Sequence, residues 1–288
     1  MTAVSRPFGA REISVPPDFR WPGGQRIGIV FRVALESWSD GVWPGISPMG
    51  NPLKPGYPDL NARSWGDYGV RRGIHRALDT LARHDVRATI ITNGIIAERH
   101  PEIVRRCLAE GHEVCAHSYA MDVMPSYLTP LEEAENIRRT TDLIEAAGGV
   151  RPLGWISPRA TPTEHTYRLL AEAGYQWHGD TLDDDLPYLQ DFGDHRIVAI
   201  PGTMEVNDLP LANARQPAEV YVKNFERWLT YVQANALEVV KIDPTIHAHC
   251  YGRAAGIWAF DEVLAMAKQA SNVWIGTRGE IAAHVLEP

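Results

Sequence analysis

The stretch PEIVRRCLAEGHEVCAHSYAMD, residues 101–122, contains one complete unit of an alternating fold. It begins with proline and keeps a helical period up to Gly111, and these residues are the usual start and stop signals of a helix. A short apolar run follows and ends at His117. Because a buried strand of this length often ends where a polar residue reaches the edge of a sheet, the stretch predicts a helix, a strand and a candidate site residue.

The same alternation continues along the chain. Short apolar runs are separated by segments with helical period, and a helical crossover returns the chain in the same direction, which predicts parallel strands. Seven or eight such units predict an α/β fold, a single distorted (β/α) barrel with seven or eight parallel strands. An open doubly wound sheet is the alternative. The predicted strands are residues 26–36, 86–92, 112–117, 152–157, 175–180, 196–201, 239–249 and 272–277.

The domain organisation follows from the absence of any Pro/Gly/Ser-rich linker and of any repeat of fixed period. We expect an N-terminal extension over residues 1–23 and one catalytic domain over residues 24–288. Residues 37–68 have neither helical nor strand period and are rich in Trp, Pro and Gly. Because long loops in compact domains are usually functional, this segment is predicted to be an ordered flap that places Trp38 at the substrate.

Composition excludes several classes of protein. The formal net charge is −8 and there is no Lys/Arg run, which argues against a nucleic-acid surface. No stretch approaches the ~18 consecutive apolar residues of a membrane helix, and the first residues lack the apolar core of a signal peptide. Cys107, Cys115 and Cys250 are too scattered for a disulfide framework. A cytoplasmic location is therefore the expectation.

Polar residues recur at the carboxyl ends of the predicted strands. In a parallel barrel these ends meet at one mouth, where active sites lie. Each residue alone has an ordinary explanation as a turn, cap or rim residue, but their convergence favours a functional site. They are Glu36, Asn93, His117, Ser157, Arg159, Asp180, Asp183–Asp185, Asn207, Asp208, His247 and His249. Because no dinucleotide, P-loop or G-x-S-x-G motif is present, acid–base or metal-assisted chemistry on a compact polar substrate remains.

Six motifs occur in an order that resembles the NodB-type polysaccharide deacetylase superfamily, and more closely its branch of allantoinases and cyclic imidases. They are DYGVRRGIHRALDTL (67–81), EGHEVCAHSYAMD (110–122), RPLGWISPRATPT (151–163), GDTLDDDLPY (179–188), IPGTMEVNDLP (200–210) and IHAHCYGRAAG (246–256). The resemblance runs from about residue 24 to the C-terminus. It implies a distorted (β/α) barrel and a homodimer or homotetramer.

The departures from this pattern concern the metal. Metal-dependent members carry paired aspartates after the first strand and two histidines four residues apart after the third. Here Glu36 stands at the ligand position, Ala34 at that of the base, and Met121 replaces the second histidine. A catalytic zinc site needs about three N, O or S ligands, and a thioether is a poor one. Metal-free hydrolysis is therefore the preferred hypothesis, with Zn²⁺ as the alternative, bound by Glu36, His117 and either Asp122 or His249.

The preferred function is hydrolysis of a carbon–nitrogen bond in a small polar cyclic amide, imide or ureide. Glu36 is expected to act as the base or to orient the water, and His117 and His249 to contact the oxyanion and protonate nitrogen. The predicted substrate-binding residues are Trp38, Tyr119, Asp122, Trp155, Arg159, Asp184, Asn207, Asp208 and His247. One alternative is a metal-dependent N-deacetylase of a sugar or peptidoglycan fragment. Another is a catalytically inactive binding protein that keeps the barrel mouth.

Overall fold

Strands and helices alternate along the chain in the computed structural model, which describes residues 9–45, 53–54, 56–235 and 238–287. The strands are β1 (Arg11–Ser14), β2 (Ile27–Val30), β3 (Arg32–Leu35), β4 (Thr89–Thr92), β5 (Glu113–Ala116), β6 (Gly154–Trp155), β7 (Trp177–His178), β8 (Tyr188–Asp191), β9 (Arg196–Ala199), β10 (Val240–Ile242), β11 (Thr245–His247) and β12 (Val273–Gly276). The helices are α1 (Leu60–Tyr68), α2 (Ile74–Arg83), α3 (Gly94–Arg99), α4 (Pro101–Ala109), α5 (Pro130–Gly148), α6 (Thr166–Glu172), α7 (Asp208–Asn213), α8 (Ala218–Ala234), α9 (Ile257–Gln269) and α10 (Arg278–Leu286).

The strands form the predicted distorted (β/α) barrel. A 9-stranded sheet has the order β1-β8-β9-β7-β6-β5-β4-β3-β11, and a 3-stranded sheet has the order β10-β2-β12. The two sheets are continuous, since only Phe31 separates β2 from β3 and two residues separate β10 from β11. From β9 to β11 the neighbouring strands run parallel, whereas β1 and β8 are antiparallel to their partners. In the described residues, backbone pairing does not close the barrel between β9 and β10.

Local sequence signals account for the helix that follows β5. Pro130 occupies the first turn of α5, and Thr129 forms a capping box with Glu132. The box satisfies backbone N–H groups that have no partner within the helix. The helix ends at Gly149, whose φ of 73° is a left-handed conformation that glycine adopts without strain. No helix in the described part of the chain is long and apolar enough to span a membrane.

The described part of the N-terminal extension packs onto the domain. Strand β1 pairs with β8, from Arg11 opposite Asp191 to Ser14 opposite Tyr188. Trp21 is buried, donates from Nε1 to the Val240 carbonyl (2.9 Å), and stacks on Trp274. The sequence had predicted neither antiparallel strand, because runs of four residues with mixed polarity give too weak a period to recognise.

The predicted flap, residues 37–68, is partly helical. Residues 46–52 and 55 lie outside the described residues. Its last nine residues form α1, which begins at an Asp59 side chain that accepts a hydrogen bond from the Ala62 N–H. The helical period was obscured because only Ala62, Trp65 and Gly66 of this helix are buried. The expectation of a segment without helix was therefore wrong for α1.

A π-helical turn over Gly69–Gly73 joins α1 to α2 and lets the backbone of the helix approach the strand end at Ala248. A Cβ atom on Gly73 would lie 1.8 Å from the Ala248 carbonyl oxygen. Glycine is therefore required here by close packing. Because Ala248 lies between His247 and His249, this contact also restrains the backbone that carries both imidazoles.

We expect Gly73→Ala to lower the free energy of unfolding by about 1–3 kcal/mol or more, because the new methyl group must displace backbone. Urea denaturation measures the effect. Gly45→Ala is the matched control, since a Cβ there meets nothing within 4 Å among the described residues. A Gly73→Ala protein as stable as the control would contradict the close-packing argument.

Candidate active site

Three imidazoles surround one carboxylate at the mouth of the barrel. Glu36 follows β3 and is 5% exposed. Its Oε1 lies 3.6 Å from His117 Nε2 and 3.5 Å from His247 Nε2, and its Oε2 lies 3.9 Å from His249 Nε2. All three histidines are buried. This group of four side chains is called the Glu36 cluster below.

Strand pairing brings these residues together. Strand β11 pairs directly with β3, with His247 opposite Ala34, so the chain from His247 to His249 runs beside Glu36. Strand β5 lies one strand further away, beyond β4. Asn93, at the end of β4, spans that distance because its Oδ1 accepts from the Ser37 N–H (2.9 Å) and its Nδ2 donates to the His117 carbonyl. The Asn93 amide therefore holds the ends of β3 and β5 together.

The orientation of His117 is fixed by a backbone carbonyl. Its Nδ1 lies 2.5 Å from the Ile156 oxygen. Since a carbonyl only accepts, Nδ1 carries the proton and Nε2 faces Glu36. The next residue, Ser118, has a φ of 56°, an uncommon left-handed value for a residue with a side chain. Strained backbone of this kind concentrates at functional sites.

His247 is held by Asp208. The Asp208 carboxylate accepts from His247 Nδ1 (2.6 Å) and from the backbone N–H groups of His247 (2.8 Å) and Tyr251 (2.9 Å). With Nδ1–H committed to Asp208, Nε2 points to Glu36. Asp208 is 0% exposed, so it positions the imidazole from behind.

The third histidine has an apolar setting. Trp65 packs edge-on against the His249 ring with centroids 4.5 Å apart, and Trp38 does so at 5.8 Å. His249 Nδ1 is buried without a hydrogen-bond partner among the described residues. Burial lowers the pKa of His249 to about 4, a shift that the charge of Glu36 opposes and that of His247 assists. The His249 ring is therefore neutral at neutral pH.

The charges within the Glu36 cluster shift the pKa values of Glu36 and His247 in opposite directions. Burial raises the pKa of the Glu36 carboxyl. This effect is outweighed by the charge of His247, by a hydrogen bond with His117 and by the charges of His249 and His117. The net result is a pKa lowered to about 2. Burial lowers the pKa of His247, and the charges of Glu36 and Asp208 together with the Asp208 hydrogen bond raise it above its ordinary value overall. The Glu36 cluster thus favours an ionised carboxylate and the protonated form of His247.

These buried groups make stability depend on pH. Burial also lowers the pKa of His178 to about 4, against a hydrogen bond to Gln190. For His178 and His249 the folded pKa lies below the unfolded value of about 6.5, so stability is lost as pH falls from about 6.5 toward 4. The pKa of His247 is raised, so its contribution to the free energy of unfolding is already complete below about pH 6.5. It therefore does not offset the stability lost through His178 and His249.

Each of these two histidines lowers the free energy of unfolding by about 2 kcal/mol between about pH 6 and pH 4.5, whereas Asp180, whose pKa is raised to about 6, acts in the opposite direction. We therefore expect His178→Gln, which keeps a side-chain amide for Gln190, to lose about 2 kcal/mol less than the parent protein over this range. Urea denaturation at the two pH values measures the difference. An unchanged pH dependence in that variant would contradict the assignment.

The structure brings only some of the predicted site residues to the Glu36 cluster. Glu36, His117, His247 and His249 form it, and Trp38 packs on His249. Asp208 was expected at the substrate but lies behind His247. Asn207 is 8% exposed and caps α7, where its Oδ1 accepts from the Leu209 N–H.

Other predicted substrate-binding residues contact other parts of the protein. Tyr119 donates from its hydroxyl to Glu98 and lies under the Arg139 guanidinium, because its side chain turns toward α3 and α5. Trp155 is fully buried. The Asp122 carboxylate accepts a hydrogen bond from the Ser39 N–H. Arg159 is exposed and has a backbone φ of 56°. Asp184 is exposed, and its carboxylate accepts from the Leu186 N–H.

The sequence assigned no particular role to some residues that support the site. Asn93 joins two strand ends, Trp65 covers His249, and Ser157 donates from N and Oγ to Asp180. Burial raises the pKa of Asp180 to about 6, against the Ser157 hydrogen bonds. Two features of the sequence could have pointed to these residues. Asn93, Ser157 and Asp180 lie at the ends of predicted strands, and Trp65 belongs to the aromatic residues of the flap.

The donors present differ from the metal ligands that the deacetylase resemblance implies. Met121 occupies the place of the second histidine, and the Asp122 carboxylate is committed to the Ser39 N–H. Among the described residues, no group of three or more His, Cys, Asp or Glu side chains is arranged to hold a metal ion. The Glu36 cluster brings one carboxylate within 3.5–3.9 Å of three imidazole Nε2 atoms.

Residues 66–178 match the family model of the polysaccharide deacetylases. Over these residues the chain is therefore similar to the polysaccharide deacetylases, and the barrel agrees with this similarity.

Individual relatives cover nearly the whole chain. The crystal structure of a probable polysaccharide deacetylase from Pseudomonas aeruginosa PAO1 is 27% identical, with a TM-score of 0.82 over 92% of each chain. That of PuuE allantoinase is also 27% identical, with a TM-score of 0.82 over 92% of this chain and 91% of that one. A putative polysaccharide deacetylase from Schizosaccharomyces pombe is 25% identical over 91% of each chain.

Proposed function

We propose that this protein hydrolyses a carbon–nitrogen bond in a small cyclic amide, imide or ureide without a metal ion. The observation that carries the proposal is the Glu36 cluster, in which one buried carboxylate faces three imidazole Nε2 atoms at 3.5–3.9 Å. Trp38 and Trp65 pack on His249, which favours a compact substrate. The similarity to an allantoinase over 92% of the chain supports the same class of substrate.

The attacking water is bound between Glu36 and His117. Glu36, ionised above about pH 2, accepts a hydrogen bond from the water and orients it. His117 donates from Nδ1 to the Ile156 carbonyl, so its Nε2 faces Glu36 and is the ring atom that takes a proton from that water. The oxygen of the water then forms a bond to the planar carbonyl carbon of the ring.

His247 supplies the proton that the leaving nitrogen needs. The raised pKa of His247 favours the protonated imidazole next to Glu36. Its Nε2–H stabilises the oxyanion and then passes the proton to nitrogen as the carbon–nitrogen bond breaks. The proton taken up by His117 restores His247 at the end of the cycle. His249 stays neutral and offers its unpaired Nδ1 to a polar edge of the ring.

A metal-dependent N-deacetylase acting on a sugar or peptidoglycan fragment is the second candidate. The observation in its favour is the match of residues 66–178 to the polysaccharide deacetylase model. This candidate needs the Glu36 cluster to rearrange around an ion. A catalytically inactive binding protein is the third candidate, and any turnover excludes it.

A substrate screen with and without chelator distinguishes the three candidates. The panel contains allantoin, hydantoin, succinimide, maleimide and an N-acetylated sugar. We expect ring opening of at least one cyclic compound at a rate that exhaustive chelation leaves unchanged. Turnover restricted to the N-acetylated sugar and restored by zinc after chelation would decide for the deacetylase.

His117→Ala tests the proposed base within the same assay. We expect kcat to fall by about 10²–10⁴-fold with little change in KM, because the His117 contact matters most in the transition state. His75→Ala is the control, since His75 lies outside the Glu36 cluster, on α2, where its Nδ1 contacts Arg106. Equal activity of the two variants would refute the role of His117.

A further inference from the structure

A second cavity lies along the opening of the barrel between β9 and β10. It has a volume of about 610 Å³ and shares no residue with the Glu36 cluster. Its lining includes Thr203, the buried Lys241 of β10 and the half-buried Trp228 of α8. The cavity exists because both edges of β9 are paired, with β7 and β8, so the edge of β10 that faces the opening has no strand partner among the described residues.

Lys241 lines this cavity and forms its floor, and two further buried cations, Arg278 and Arg32, lie close to Lys241 without lining the cavity. Lys241 donates to the Pro201 carbonyl (2.8 Å) and to Asp243 (2.5 Å), and Arg278 donates to the Ile200 carbonyl (2.7 Å) and lies 3.1 Å from Asp243. These bonds join the two sides of the opening in place of backbone pairing. With Arg32 nearby, three cations share the single carboxylate of Asp243. Because unbalanced buried charge is costly, the floor favours an anion.

The Arg32 guanidinium has N–H donors without an acceptor among the described residues. It is 5% exposed, and within the described ranges its guanidinium makes one hydrogen bond, from Nε to the Thr245 hydroxyl (2.8 Å). Its NH1 lies 3.9 Å from where a Cβ on Gly202 would be, and Gly202 lines the cavity. The missing side chain at Gly202 therefore opens the cavity toward Arg32. A guanidinium and an ammonium side by side suit a carboxylate, which accepts from both.

The rim has the opposite charge. Four acidic residues, Asp183, Asp184, Asp185 and Glu205, line the cavity with one arginine, Arg227, and all four are exposed. An anion alone would meet repulsion at this rim, whereas a cation alone would meet repulsion at the floor. A ligand with a carboxylate at one end and an ammonium group at the other can place the carboxylate at the cationic floor and the ammonium group at the acidic rim.

We propose that this cavity is a second small-molecule site that binds a small zwitterion, with its carboxylate on Arg32 and Lys241 and its ammonium group at the acidic rim. The site is separate from the Glu36 cluster and does not depend on the proposed reaction. Its charge pattern excludes nucleic acid and fatty acids as ligands, since neither offers a cation to the rim.

Isothermal titration with three matched probes tests the proposal. β-Alanine carries both charges, propionate carries only the carboxylate, and propylamine carries only the cation. We expect saturable binding of one β-alanine per chain, about tenfold or more tighter than either single-charge probe, because each charged end adds a charge-assisted hydrogen bond. Absence of saturable β-alanine binding, or equal binding of propylamine or Ca²⁺, would overturn the proposal.

Two variants place the binding in this cavity. A side chain in Gly202→Val would fill the approach to Arg32 and should weaken β-alanine about tenfold or more, whereas Gly45→Val should not. If Gly202→Val does not fold, the exposed rim variant Asp185→Asn/Glu205→Gln should reduce the preference for β-alanine over propionate to about threefold or less. Glu36→Gln should bind β-alanine like the parent protein. Loss of binding in Glu36→Gln, or full binding in both cavity variants, would assign the ligand to another site.

Discussion

Glu36→Gln should lower kcat/KM for the ring-opening reaction by about 10²–10⁴-fold while the protein stays folded. Glutamine keeps the shape of the side chain but cannot hold the negative charge that orients the water. The charge of Glu36 also raises the pKa of His247, so its loss leaves less imidazolium to protonate nitrogen. Steady-state kinetics with the best cyclic substrate, together with circular dichroism, measures both properties.

The matched control for this variant is Glu135→Gln on α5. Glu135 is exposed and pairs with Arg138 through a surface salt bridge, which water screens and which adds little to stability. Its replacement should leave kcat/KM unchanged. If Glu36→Gln retained the activity of the control, the Glu36 cluster would not be the catalytic site.

Asp208→Asn should lower kcat by about 10²-fold or more with a smaller effect on KM, because Asp208 acts through His247 and not on the substrate. The amide NH₂ that replaces one carboxylate oxygen favours a tautomer of His247 with its proton on Nε2 and a lone pair on Nδ1. The negative charge that raises the pKa of His247 is lost as well. His247 is then neutral at a pH where the parent protein keeps it charged.

Two readouts separate this positioning role from a general loss of structure. The upper limb of the pH–rate profile should move to lower pH in Asp208→Asn, since the imidazolium deprotonates earlier. ¹⁵N NMR of the imidazoles should show the change of tautomer at His247. Asp142→Asn, on the exposed face of α5, is the control and should change neither. A parental pH profile in Asp208→Asn would contradict the role of Asp208.

The sequence by itself determined the positions of the parallel strands and the set of strand ends at which the site lies. Each predicted strand contains an observed one; for example, residues 112–117 contain β5 and residues 239–249 contain β10 and β11. This succeeds because a buried parallel strand must be apolar on both faces, which leaves an uninterrupted apolar run in the sequence. The convergence of Glu36, His117 and His249 followed from the same rule.

Only the tertiary structure decided which way each strand-end side chain points. Tyr119 follows His117 by two residues, yet it turns outward to Glu98 while His117 faces Glu36. The left-handed φ of Ser118 lies between them and redirects the chain, and no propensity of serine predicts that value. The roles of Asn207 and Asp208 were settled in the same way, by contacts with α7 and His247.

The opening between β9 and β10 was likewise decided by tertiary structure. It depends on the antiparallel β8, which occupies the free edge of β9, and on Lys241 and Arg278, which join the two sides by side-chain hydrogen bonds. Lysine in a strand and arginine in a helix read as exposed residues in a sequence, because such side chains are rarely fully buried. Their partners here are the backbone carbonyls of Ile200 and Pro201, which carry no sequence signal because every residue has a carbonyl group.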